Sequence, residues 1–159
     1  MAYNHNSLKV ILSLKTANQI INEGFKIARE YNINPLAIVV LDSGGHQISS
    51  QREDGAGIIR IEISIAKSYG ALGMGSSSRG IGIGLSKKPV FATALSSISG
   101  GKFATAAGGV LILDDKKQVI GAVGVSGDTS ERDEFVAISA IKSVGFLCDP
   151  EKPDDDWDK

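Results

Sequence analysis

A single cysteine, Cys148, stands among the 159 residues. It can form neither an internal disulfide nor a multi-cysteine metal site. A lone thiol fits a reducing compartment. Charge is equally sparing: the net value is −1, which removes the electrostatic attraction to nucleic acid or to an anionic membrane surface. The only paired lysines, Lys87-Lys88 and Lys116-Lys117, read as solvated loop charges. No apolar run approaches the length of a membrane span. Met1-Ala2-Tyr3-Asn4-His5-Asn6 lacks the basic start and apolar core of a secretory signal, so the cytoplasm is the expected location. There is no HExxH, CxxC, GxxxxGK[ST] loop or Gly-x-Ser-x-Gly elbow. Metalloprotease, nucleotide-binding and serine-hydrolase readings therefore have no motif to stand on.

What remains is an ordinary globular composition, 42% hydrophobic and 22% charged, in a chain of one domain's length. Residues 1–12 read as an N-terminal tail, 13–147 as one domain and 148–159 as an acidic tail. Ser13 is a fitting N-cap, and Ala17, Ile20, Ile21, Gly24, Ile27 and Ala28 recur at helical spacing up to about Tyr31. Leu36 to Leu41 is a short apolar run that reads as a buried strand. Asp42-Ser43-Gly44-Gly45 turns it into a return strand over 46–52. A second helix spans about 58–72, with Ile58, Ile61, Ile65, Tyr69 and Leu72 as its apolar stripe and Lys67 off it. The glycine-rich 73–88 reads as a short helix or a mobile loop. Pro89 opens another short helix to about Ser97. Three strands, 102–107, 109–114 and 118–125, follow as a meander, and a last helix runs over 130–146. This order predicts an α+β sandwich, a five-stranded, mainly antiparallel sheet packed against helices.

The densest stretch is Gly121-Ala122-Val123-Gly124-Val125-Ser126-Gly127-Asp128-Thr129-Ser130-Glu131-Arg132-Asp133-Glu134. A buried strand meets a helix that Thr129 or Ser130 caps, and Ser130 with Asp133 approximates a capping box. Asp128, Glu131, Asp133 and Glu134 place four carboxylates in seven residues. They meet the helix dipole themselves. A ligand here would accordingly be a cation or a hydroxylated molecule in preference to a phosphate. Trp157 argues for docking of the polar tail, because an aromatic there often anchors to a partner.

The hairpin Val39 to His46, the segment Arg52 to Gly55, and Ala66-Lys67-Ser68-Tyr69 form one set of motifs. Gly100-Gly101-Lys102, Gly108-Gly109-Val110 and Gly121 to Glu134 complete it. Together, over about residues 12–146, they resemble the GlcG/HbpS family, which includes the C-terminal domain of PduO-type proteins. The resemblance implies a profilin-like fold and a homo-oligomer, often an octamer. It also implies a small-molecule role, with haem or a corrinoid as cofactor in some members. Haem ligation in the family is linked to a histidine on the first helix. Here that helix has no His, Cys or Met, which leaves His46, His5 and the tyrosines as axial donors.

Two further function classes stay open. One is a cofactor-free lyase, isomerase or hydrolase acting on a small hydroxy or keto acid. Arg52 would then hold the carboxylate, and His46, Lys67 or Glu134 would move a proton. A pocket of Arg52, Gly101, Thr105, Gly108, Gly109, Gly127 and Asp128 would bind the ligand in either case. The other class is a structural subunit with neither binding nor turnover. Bland roles compete at every position: a turn histidine at 46, an internal ion pair for the charged residues, helix-start acids, and turn glycines.

Overall fold

The computed structural model describes residues 6–159. The described elements are α1 (Leu14–Glu30), β1 (Ala37–Asp42), β2 (Gln47–Arg52), α2 (Arg60–Met74) and α3 (Ser78–Leu85). Then come α4 (Pro89–Ile98), β3 (Gly109–Leu113), β4 (Val119–Ser126), α5 (Ser130–Ser143) and β5 (Leu147–Asp149). One antiparallel sheet has the order β2-β1-β4-β3-β5. The predicted α+β architecture and five-stranded sheet are both present. His5 lies outside the described residues.

The sheet carries helices on both faces. One face holds the main core: Ile38, Val40, Val110, Ile112, Val123 and Val125 meet Ile20, Ile21, Ala28, Val136, Ala137 and Ile141 of α1 and α5. Helix α1 starts where the sequence predicts, with the Ser13 hydroxyl accepting from the Thr16 amide, and buries the expected stripe of Ala17, Ile20, Ile21, Gly24 and Ala28. The opposite face holds α2 in close contact, because glycines replace side chains there. A Cβ on Gly124 would lie 1.9 Å from the Ser64 carbonyl oxygen, and one on Gly109 would lie 2.3 Å from that of Lys67.

That close approach overturns the predicted packing of α2. The helix buries Ser64, Ala66, Lys67, Ser68, Gly70 and Ala71, while Ile58 precedes it and is exposed. Small residues face the sheet because only they fit against a glycine strand, and the isoleucines turn partly outward.

The meander needs a correction as well. Residues 102–107 form no strand; they cross the helices, with the Ala104 amide donating to the Ala66 carbonyl and the Thr105 carbonyl against Gly82. The outer neighbour of β3 is β5, drawn from the end of the chain, with Ile112 opposite Cys148. The glycine-rich segment forms the helical alternative, α3, capped by Ser77. Helix α4 follows from Pro89 and buries none of its residues.

Candidate functional site

The end of β4 and the start of α5 gather the buried charges. Lys67 leaves α2 beside Gly108, which has φ +115° and would carry a Cβ only 2.9 Å from Lys67 Nζ. The ammonium donates to Asp133 Oδ2 at 2.7 Å and to the Val125 carbonyl at 3.0 Å. Both side chains are almost fully enclosed, 3% and 2% exposed. Burial pushes the Asp133 carboxyl upward, while the Lys67 charge and hydrogen bond and the more distant Arg60 oppose it. An internal ion pair is thus present, but between Lys67 and Asp133; Arg52 forms no ion pair with an acid among the described residues. The Lys67–Asp133 pair ties α2, on one face of the sheet, to α5 on the other.

Thr129 is the N-cap of α5, accepting from the Arg132 amide. Asp133 does not complete the Ser130 capping box, because Lys67 takes one of its oxygens and the Asp128 amide donates to the other. Burial acts to raise Asp128, but the amides of Asn34 and Thr129 and the Arg132 guanidinium outweigh it and hold the carboxyl low. Glu134 points elsewhere, to Arg79 on α3, with Nε 3.1 Å from Oε1. Burial lifts Glu134 to about 7 against the pull of Arg79. Asp128, Asp133 and Glu134 therefore take different partners, and among the described residues no three metal-ligating side chains converge.

The remaining predicted residues are scattered. His46 sits at the hairpin tip, 83% exposed, with Nδ1 3.4 Å from Asp42 Oδ1. Arg52 is exposed at the end of β2 and donates to the Ala56 carbonyl. Gly101 lies in an open turn at φ +84°. Thr105 lends its carbonyl to the packing of α3, and Gly127 rests against Pro35 and Leu36. Only Lys67, Gly108, Gly109 and Asp128 gather near Asp133. Clefts of about 570 and 590 Å³ lie elsewhere, one between Asn22 and Val144, the other beside Lys117, Lys142 and Leu147.

Two features escape sequence reasoning. Arg79 partners Glu134, and its signal was being the lone charge in a stretch of glycine, serine and apolar residues. The second is the outer face of α3 and α4. Ile83, Val90 and Ile98 are 71%, 83% and 77% exposed, and Phe91 is half exposed. Lys87 and Lys88 stand exposed between the two helices.

Axial donors for haem can be tested against this geometry. His46 is solvated at a hairpin. Cys148 is buried with Sγ 3.2 Å from the Pro150 carbonyl, and burial pushes its thiol up to about 11, so no thiolate is on offer. Tyr31 is packed against Phe135 and Trp157, and Tyr69 lies under Lys102. These residues do not fit an iron-ligating site within one chain.

Comparison with proteins of curated function finds no match. Among solved structures, the PduOC:heme complex is 25% identical, with a TM-score of 0.76 over 86% of this chain and 97% of that one. The Klebsiella pneumoniae protein ORFY is 27% identical, with a TM-score of 0.75 over 91% and 97%. HbpS, at 20% identity, shares the fold with a TM-score of 0.74 over 91% and 99%. The family model described as haem degrading protein HbpS-like matches residues 12–142. With four of the five strands, the glycines of β3 and β4 and the acidic helix start inside that span, the chain belongs to the HbpS-like family.

Proposed function

We propose that this protein binds a small molecule of the haem class and works as a homo-oligomer. The observation that carries the reading is the uncovered α3–α4 face: Ile83, Val90, Phe91 and Ile98 offer apolar area beside Lys87 and Lys88. An apolar ring system with carboxylate arms matches that combination of flat apolar contact and two ammonium groups. A corrinoid, whose arms are amides, gains nothing from the lysines. Contiguous exposed apolar area also marks a partner surface. A neighbouring copy covering α4 would enclose the ligand, in an assembly such as the family's octamer. Kinship with the PduOC:heme complex supports the ligand class.

With no fitting iron ligand among the described residues, affinity comes from the ring and its carboxylates. Titrating haemin and metal-free protoporphyrin by absorbance tests this. Both are expected to bind saturably, with affinities within about tenfold, which is about 1.4 kcal/mol. Reversing both lysines (Lys87→Glu with Lys88→Glu) should weaken both about tenfold. Failure of either porphyrin to saturate would overturn the reading.

The enzyme alternative draws no support from the geometry, because His46, Arg52, Lys67 and Glu134 do not share a cavity. The cytoplasm remains the location we propose. No described helix is long and apolar enough to cross a membrane.

A further inference from the structure

Beyond β5 the chain does not leave the molecule. Ser77 donates its amide to Asp149 Oδ2 at 2.9 Å, and Lys142 Nζ donates to the Glu151 carbonyl. Arg79 Nη2 donates to the Lys152 carbonyl at 2.8 Å, and Nη1 lies 3.6 Å from Asp154 Oδ2. Trp157 stacks on Phe135 with ring centres 3.5 Å apart and planes 7° off parallel, and Tyr31 meets both rings edge-on. Residues 150–159 thus form a strap across α3, α5 and the end of α1. It lies beyond the 12–142 span of the family match.

One guanidinium holds two competing carboxylates. Arg79 serves Glu134, which is fully buried, and Asp154, which belongs to the strap. The second Glu134 oxygen lies 3.0 Å from Arg79 Nε but outside hydrogen-bond geometry, and it has no other partner among the described residues. Such a group is costly to keep charged and inexpensive to keep protonated. The charged groups facing Glu134 are Arg79 from α3, Asp154 from the strap and Glu131 from its own helix. Cys148 of β5 is nearby and stays neutral in the physiological range.

We propose that the strap is a proton-controlled latch, docked while Glu134 carries a proton and released as Glu134 ionises. Two effects point the same way. A protonated Glu134 leaves Arg79 to Asp154, whereas an ionised Glu134 competes for the guanidinium and repels Asp154. Conversely, lifting the strap removes the Asp154 carboxylate that helps to raise Glu134. By reciprocity, the proton that docking stabilises must itself stabilise docking. The ratio of docked to released strap then falls as pH rises through the range in which Glu134 ionises, and levels off above it. This inference stands apart from the ligand reading and its test uses no porphyrin.

Trp157 is the only tryptophan, so its fluorescence reads the latch directly. Emission and acrylamide quenching of the full chain are measured from pH 5 to 8.5. The expected result is a protected, blue-shifted signal at pH 5 that becomes exposed and red-shifted by pH 8. Glu134→Gln, which cannot ionise, should stay protected throughout, and His46→Asn should behave as the parent. If Glu134→Gln fails to fold, Asp154→Asn is the second variant, and its transition should weaken and move to lower pH. A signal constant across the range in the parent overturns the latch. So does an unchanged transition in Glu134→Gln, or, where that variant does not fold, in Asp154→Asn.

Discussion

Lys67 is the residue on which the two faces of the sheet depend. Its pair with Asp133 is enclosed, so removing one partner strands a buried charge. Lys67→Met should cost about 3–5 kcal/mol in chemical denaturation, and pairing it with Asp133→Leu should recover much of that loss. Glu134 sets a slope of opposite sense to the usual acid. Its folded pKa, near 7, lies above its unfolded value, so the folded chain holds the extra proton between the two. Its contribution to stability is complete at low pH and is lost as pH rises toward 7. Melting temperatures over that interval should decline, and Glu134→Gln should flatten the decline. Asp128 works in reverse: held low, it stabilises above the unfolded range and loses that effect on acidification. Cys148, with its thiol pushed up to about 11, should resist iodoacetamide at pH 8 in the folded chain and react once denatured.

At the level of elements, the sequence is legible wherever periodicity and packing agree. Helix α1 buries its apolar stripe, and the apolar run Leu36 to Leu41 supplies all of β1 (Ala37–Asp42) but its last residue. Helix α2 is misread from its isoleucines, because a helix is usually turned by its large apolar residues and here a glycine strand admits only small ones. The signal was glycine within predicted strands, at Gly109 and Gly124, which allows close approach of either a neighbouring element or a ligand and does not say which. Gly124→Ala should therefore cost at least the roughly 1–3 kcal/mol typical of overpacking, seen as a lowered denaturant midpoint. Strand β5 was hidden for another reason. Three residues carry no periodicity, and the more strand-like 102–107 is drawn off by contacts with α2 and α3. The candidate site was less legible than the fold. Lys67 and Asp133 are far apart in sequence and meet only through the topology, and Arg52 and His46 stay at the surface.

For the whole molecule, α4 is the element that a monomer leaves unsatisfied. Sedimentation should show an assembly larger than one chain. Val90→Asp with Ile98→Asp should shift it to the monomer with little loss of secondary structure by circular dichroism, since neither side chain is buried in the single chain. The position of β5 has a consequence for synthesis. Its residues are translated after α5, yet they cover the outer edge of β3. While the chain is still growing, Val110 to Leu113 must present an unpaired apolar edge, the kind of surface that recruits other nascent chains. A ribosome-bound chain halted before Leu147 is thus the species most in need of a chaperone.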